Sequence, residues 1–459
     1  MLPVIAIVGR PNVGKSTLFN RLTRSRNALV ADFPGLTRDR LYGNGTYHER
    51  RFIVIDTGGI GMPESGIEEL MLLQARQAIS EADAVLFLVD GKTGYTPADV
   101  TIAKELRKIE KPIYLVINKT DGIDKQNATA DFYALGFKEL APISATQGEG
   151  VDALIGHVLA GIEETVTPLG EAYQGIKVAI IGRPNVGKST LVNRMLGEDR
   201  VIVFDQPGTT RDSIYIPFER LDQHYVLIDT AGVRRRGKVF ETVEKFSIVK
   251  TLQAIADAHV VIFVIDAHEN VVEQDQHLLG YIVEEGKALV IAVNKWDYLG
   301  DDQKQTIKRE AGRRLCFVDF AKIYYISALH GTNVGHLYEA IVSAYRSAFV
   351  SVNARKTTEI LQKALADHQP PLVHGHRIKL RYAHLGGHNP PTFIIHGNQT
   401  EAIPISYRRY LMNYFRKKLA LIGTPVRLEF KTSSNPFKDR KNILTAKQIK
   451  KRQRLWKER

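Results

Sequence analysis

Short, uninterrupted apolar runs recur through the first three quarters of the chain, at positions 4–8, 52–55, 84–89, 178–181 and 226–228. Runs that short and that continuous suit strands buried on both faces rather than helices. Those at 4–8 and 178–181 each pass through a glycine-bearing turn into a segment that can be helical. Beyond Val352 the pattern changes. Positions 357–368 have helical spacing (Ile360, Leu361, Leu365), 377–382 and 392–395 read as strands, 407–421 as an amphipathic helix, and 426–431 alternates like a strand. The expected fold is α/β: two mostly parallel sheets with flanking helices, followed by a compact α+β module.

The turns after the two leading runs carry the same letters. Residues 9–16 and 182–189 both read GRPNVGKS, the phosphate-cradling P-loop in its strand, loop and helix setting. Gly9, Gly14, Gly182 and Gly187 let backbone N–H groups turn toward phosphate oxygens. Lys15 and Lys188 reach the outer phosphates as point charges, and Ser16 and Ser189 offer a hydroxyl to Mg²⁺. The duplication extends further. Thr37 (PGLTRDR) and Asp56 (DTGG) have counterparts in Thr210 (PGTTRDS) and Asp229 (DTAG) at the interval that separates Lys15 from Lys188. NKTD (Asn118, Lys119, Asp121) and NKWD (Asn294, Lys295, Asp297) follow at a slightly longer interval, then Ser144-Ala145 and Ser327-Ala328 at a longer one. Length is added between motifs, where loops on a constant scaffold tolerate it.

The NKxD segments identify the base. Asp121 and Asp297 can accept from guanine N1–H and N2–H, donors that adenine lacks, so the site selects GTP and GDP. A buried acceptor left without its partner discriminates by roughly 10⁴-fold or more. Asn118 and Asn294 are expected to brace base and P-loop, Lys119 and Lys295 to cover the purine, and the N–H groups of Ala145 and Ala328 to meet guanine O6.

Asp56 and Asp229 end apolar runs, where a carboxylate can hold Mg²⁺ through water. Gly59 and Gly232 can offer N–H to the γ-phosphate, and Thr37 and Thr210 can reach the metal while that phosphate is present. Hydrolysis then releases both segments, an order–disorder switch. Many GTPases orient the attacking water with a Gln directly after DxxG; here Ile60 and Val233 stand there. Either hydrolysis is feeble, or another group stabilises the transition state. Asn12 and Asn185 resemble the P-loop asparagine that, in translation-factor-related GTPases lacking the Gln, accompanies a K⁺ ion; the alternative is an Asn that steadies the loop.

Composition narrows the setting. At 459 residues there is room for about three domains. No apolar stretch approaches the roughly 20 residues of a membrane span, and a first strand beginning at Val4 leaves no place for a cleaved presequence. The lone Cys316 precludes an intramolecular disulfide and suits a reducing cytoplasm. Residues 438–459 hold ten Lys or Arg against two Asp or Glu, so this tail carries +8 of the net +13. Such a run is either a solvated, disordered end or a phosphate-neutralising arm with salt-dependent affinity. Beside a folded basic module nucleic acid is the better reading, with an acidic membrane surface as the alternative.

The division that follows is 1–162 and 176–350 for the nucleotide domains, 163–175 for an acidic linker, 351–437 for the last module and 438–459 for the tail. The order of elements in 351–437 is similar to a KH domain, a single-strand RNA-binding fold, yet no G-x-x-G clamp occurs there. Arg408, Arg409, Lys417 and Lys418 are candidate RNA or interdomain contacts. Tyr407, Tyr410, Tyr414 and Phe415 at helical spacing read mostly as core. The repeats also differ: IGMPES follows the first DxxG, whereas VRRRGK follows the second and places Arg234, Arg235, Arg236 and Lys238 where nucleotide could gate them.

Paired GRPNVGKS, PGxTRD and NKxD motifs, a KH-like module and a basic tail resemble the Der (EngA) family of bacterial GTPases over essentially the whole chain. The resemblance implies a cytoplasmic GTP hydrolase that acts in assembly of the large ribosomal subunit. It also implies association with that subunit and its rRNA according to nucleotide state, with the KH-like module docking on the GTPase domains. Two other classes compete. A tRNA-modification or translation-factor GTPase would need a further domain, and none is found; an RNA-binding scaffold would not need both sites intact.

Overall fold

The computed structural model describes residues 2–23, 41–48, 50–57, 76, 78–122, 129–162, 175–197, 201–203, 215–228, 248–373 and 376–432. It divides into one unit of Met1–Phe349 with Leu421–Pro425, and a second of Val350–Ala420 with Val426–Arg459.

The first unit holds both nucleotide domains. In the first domain β1 (Val4–Val8), β2 (Leu41–Tyr47), β3 (Arg50–Asp56), β4 (Ala84–Asp90), β5 (Ile113–Asn118) and β6 (Leu140–Pro142) form a sheet in the order β2-β3-β1-β4-β5-β6. Only the β2–β3 pair is antiparallel. The strands are apolar because helices cover them: α1 (Lys15–Leu22), α2 (Pro97–Leu106) and α3 (Val151–Gly161). Leu18 and Phe19 of α1 and Leu154, Ile155 and Val158 of α3 fill one face against Ile5, Ile7, Leu86 and Val116. The strand order reverses at β1, and its carboxyl end is where doubly wound sheets bind ligands.

The second domain repeats this plan with β7 (Ile176–Ile181), β8 (Val201–Val203), β9 (Tyr215–Arg220), β10 (Gln223–Ile228), β11 (Val260–Asp266), β12 (Ala288–Asn294) and β13 (Ile323–Tyr325), in the order β8-β9-β10-β7-β11-β12-β13. Its helices are α4 (Lys188–Leu196), α5 (Ile248–Asp257), α6 (Glu273–Glu284), α7 (Asp301–Arg314) and α8 (Gly335–Ala348). One apolar cluster contains residues of both domains, among them Tyr42, Ile53 and Ile55 of the first and Ile255, Tyr281 and Ile282 of the second. At its edge Asn44 Nδ2 donates to the Tyr281 hydroxyl (2.8 Å) and to Glu285 (2.7 Å), and Arg51 donates to Glu285 (2.5 Å). Within the same unit Leu289 N–H donates to the Gly423 carbonyl at 2.6 Å, and Gly423 N–H to that of Phe320 at 2.8 Å.

The second unit runs α9 (Ala354–Asp367), a short hairpin of β14 (Leu372–Val373) and β15 (His376–Arg377), β16 (Lys379–Gly387), β17 (Thr392–Asn398), α10 (Ile405–Lys418) and β18 (Arg427–Thr432). Helix, two strands, helix and strand is the expected order, with the hairpin added. β17 pairs antiparallel with β16 and parallel with β18. The first helix starts earlier than its apolar spacing implies because the Asn353 side chain caps it, accepting from Lys356 N–H at 2.8 Å. Tyr407 and Phe415 are buried in the core with Leu361, Leu411 and Phe393, and Tyr410 and Tyr414 pack against it. Their hydroxyls are engaged: Tyr407 donates to His368 O (2.6 Å), Tyr410 to Ala364 O (2.8 Å) and Tyr414 to Asp367 (2.8 Å).

Candidate nucleotide sites

Both P-loops leave the carboxyl ends of the central strands, and one residue ties each to its NKxD loop. Asn118 Nδ2 donates to the Val13 carbonyl (2.8 Å), while its Oδ1 accepts from Ala145 N–H (2.9 Å). Asn294 does the same with Val186 and Ala328, both at 2.9 Å. A Cβ on Gly14 (φ 99°) would lie 2.3 Å from Asn118 Nδ2, and one on Gly187 (φ 96°) equally close to Asn294 Nδ2. Only glycine admits that approach together with a left-handed backbone.

Lys15 is buried and donates to the carbonyls of Gly9 and Arg10, both at 2.8 Å. Burial lowers its pKa from the ordinary lysine value, against the opposing pull of Asp56. Lys188 donates to Arg183 O at 2.8 Å. Ser16 Oγ donates to the fully buried Asp56 at 2.9 Å. Two hard oxygen donors thus converge beside the phosphate loop, a set that fits Mg²⁺ sharing its shell with phosphate and water. No cluster of three or more His, Cys, Asp or Glu able to hold a metal by themselves occurs among the described residues.

The two candidate base-binding loops share a frame but differ in their surroundings. Lys119 reaches Asn12 O (2.8 Å) and Asp90 (2.7 Å), and Lys295 reaches Asp266 (2.5 Å). Asp121 bonds Lys92 (2.8 Å) and the Ser144 hydroxyl (3.3 Å), and the Lys92 bond leads in lowering its pKa. Around the second of these loops Asp297 Oδ1 is buried and has no hydrogen-bond partner among the described residues. Burial pushes the Asp297 carboxyl up, but the Ser327 hydroxyl and nearby His330 more than offset it, and the net shift is downward. His330 Nε2 lies 3.5 Å from Asp297, and Tyr298, 87% exposed, stands against the His330 ring.

Several positioning residues escape motif reading. Arg10 and Arg183, the second residues of the P-loops, are held by Asp99 (3.2 Å) and by Asp275 (2.9 Å) and Glu269 (2.5 Å). Asp99 also closes the capping box of α2 with Thr96. Arg21 donates to Ala145 O (2.8 Å) and Arg194 to Ala328 O (3.2 Å), pinning the loops that carry those alanines. The available signal was identity between repeats, since each pair occupies equivalent places.

Asn12 and Asn185 have matching left-handed backbones (φ 65° and 63°). Thr37, Gly59, Thr210, Asp229, Gly232, Arg234, Arg235, Arg236 and Lys238 lie outside the described residues, as do Ile60, Val233, most of the 163–175 linker and the 438–459 tail. In α10 Arg409, Lys417 and Lys418 are exposed, whereas Arg408 turns partly inward, its guanidinium 5.1 Å from the Phe430 ring. No helix among the described residues is long and apolar enough to cross a membrane.

Two sheets of one topology, each with a P-loop bonded to an NKxD loop, define a tandem P-loop GTPase. A family model described as 50S ribosome-binding GTPase matches residues 4–119 and 177–295, and one described as the C-terminal KH-domain-like region of EngA bacterial GTPase enzymes matches 352–431. The chain is 58% identical over 457 residues to the GTPase Der of Hahella chejuensis, covering 100% of this chain and 97% of that protein. It is 59% identical over 445 residues to the GTPase Der of a Marinomonas species, covering 96% and 100%. Among solved structures it is similar to Era of Aquifex aeolicus bound to GDP·AlF4⁻ (24% identity, 56% of this chain and 92% of that one, TM-score 0.28). The chain belongs to the Der family and is a GTP hydrolase.

Proposed function

We propose that the chain is a two-site GTP switch acting in assembly of the large ribosomal subunit, with the nucleotide held at each site controlling its association with rRNA and ribosomal particles in the cytoplasm. The observation that carries this reading is the repetition of one bonding scheme, Asn118 with Val13 and Ala145, and Asn294 with Val186 and Ala328. A scaffold with obsolete pockets has no need of two intact copies. The matched ribosome-binding GTPase family supports the particle as partner.

Asp121 and Asp297, held ionised, accept from guanine N1–H and N2–H, and the anchored Ala145 and Ala328 N–H groups meet O6. The lysine stems of Lys119 and Lys295 lie over the purine while their ammonium groups stay tethered. Lys15 and Lys188 move from backbone carbonyls to phosphate oxygens when nucleotide enters. Mg²⁺, when bound by Ser16, Thr37 and Asp56 or by Ser189, Thr210 and Asp229, neutralises charge on the β- and γ-phosphates. Loss of the γ-phosphate frees the threonines and the Gly59 and Gly232 amides, and in the second domain repositions Arg234, Arg235, Arg236 and Lys238. The domain limits read from sequence, docking of the KH-like module on the GTPase domains, and RNA contact by α10 belong to the same proposal.

The test is gradient sedimentation of ribosomal particles with the wild type, Lys15→Ala and Lys188→Ala, in GDP and in a non-hydrolysable GTP analogue. Co-migration should depend on nucleotide and fail in at least one variant; indifference to both would end the proposal. Asn12 and Asn185, at the fourth position of each P-loop, are the residues on which K⁺ as an activator rests. Phosphate release should then be faster in K⁺ than in Na⁺, and equal rates would remove the ion while leaving the GTPase.

A further inference from the structure

The second unit has a sheet with two unlike faces. Leu380, Ala383, Phe393 and Ile395 point inward and are buried against α9 and α10. Strand register puts the remaining residues on the opposite face: Tyr382 pairs with His396, His384 with Ile394, Ile394 with Glu429, and His396 with Lys431. A register shift between Leu380 and Tyr382 leaves both Arg381 and Tyr382 exposed.

Three rings on this outer face stack. Tyr382 and His396 lie 4.3 Å apart with planes 8° from parallel, His384 and His396 5.3 Å apart at 23°, and Tyr382 and His384 6.3 Å apart at 20°. Tyr382 nevertheless remains 47% exposed, so a planar group can extend the stack over it. Exposed Lys379, Arg381, Arg427 and Lys431 lie on the same three strands, against one carboxylate, Glu429. The strands fix the rings before anything binds, which lowers the ordering cost of stacking.

We propose that this outer face, centred on Tyr382, His384 and His396, is a stacking platform for the bases of single-stranded RNA, flanked by cations that take its phosphates. It deepens the proposed function, resting on RNA as partner and naming a surface other than α10 and other than the missing G-x-x-G clamp. Charge complementarity selects a polyanion. Near-parallel rings with an open face select one that carries planar bases, which an acidic peptide lacks. A duplex keeps its bases stacked internally, so an unpaired strand is the occupant.

The test uses the full chain and a fluorescent single-stranded RNA of about ten nucleotides, beside an abasic phosphodiester oligomer of equal length. Tyr382→Ala should weaken RNA binding about tenfold, as loss of one stacked base does, and leave the abasic oligomer unaffected. Tyr382→Trp should retain RNA binding, because a ring suffices. Lys431→Ala should weaken both ligands and reduce the slope of log affinity against log salt by about one. GTP binding and the melting transition of Tyr382→Ala should match the wild type, showing that the fold survives. If wild type binds RNA and Tyr382→Ala binds it equally, the platform is wrong while the RNA partner stands. Equal weakening toward both oligomers would also overturn it, leaving a surface that senses charge alone. If wild type binds no RNA, the RNA reading of the whole chain falls, and the platform with it.

Discussion

The Arg51 guanidinium donates to the Glu285 carboxylate at 2.5 Å, joining the strand that ends in Asp56 in one nucleotide domain to the end of α6 in the other. Asn44, on the paired strand, bonds the same carboxylate. Glu285→Ala should cost about 1–2 kcal/mol, because it leaves two donors without their acceptor at a partly buried joint. Denaturant unfolding measures this. An unchanged midpoint would reduce the contact to a solvated surface pair.

Asp297→Asn should exchange guanine for xanthine at the second site. An amide presents one acceptor and one donor where the carboxylate had two acceptors, which suits a base bearing a carbonyl at C2. GTP affinity there should fall by roughly 10²-fold or more, since an amide N–H would face the guanine amino group. Titration calorimetry in a Lys15→Ala background isolates the second site; retained GTP affinity would mean that Asp297 does not read the base.

Asn118→Ala removes the link between Val13 O and Ala145 N–H, both within the buried frame of the first site. The expected loss is about 2–3 kcal/mol of stability in the first domain, together with weaker GDP binding. Asn294→Ala should produce the same loss in the second. Weakened binding with unchanged stability would show that the asparagine serves the ligand alone.

His259 supplies the pH dependence. Its Nδ1 accepts from Lys177 N–H at 3.1 Å, and it packs against Tyr345 and Phe349. Burial, aided by the charges of Lys177 and Lys287, lowers its pKa from 6.5 to about 4. The unfolded chain therefore binds this proton first as pH falls, so stability present above pH 6.5 is lost progressively down to about pH 4. The full loss is of the order of 3 kcal/mol. Unfolding free energies of wild type and His259→Gln should converge or cross on acidification across that window; parallel profiles would exclude His259 as the source.

Motif order is what singles out the candidate sites, because local chemistry constrains it: a P-loop needs its glycines, lysine and serine in fixed sequence, and NKxD its carboxylate. Their surroundings were not legible. Lys92 pairs with Asp121, whereas Asp297 faces His330, and each of these neighbours arrives from another loop. Arg10 and Arg183 carry no motif role of their own, and only the fold brings Asp99 and Asp275 against them.

The sequence by itself determined the α/β class, the duplication, the guanine preference and the order of elements in the last module, because each follows from spacing within a short window of chain. Tertiary structure alone decided that the two nucleotide domains share an apolar cluster and the Arg51–Glu285 joint, and that Tyr382, His384 and His396 form one stack. Those relationships depend on strand register and on surfaces meeting across long separations, and neither is written in local periodicity.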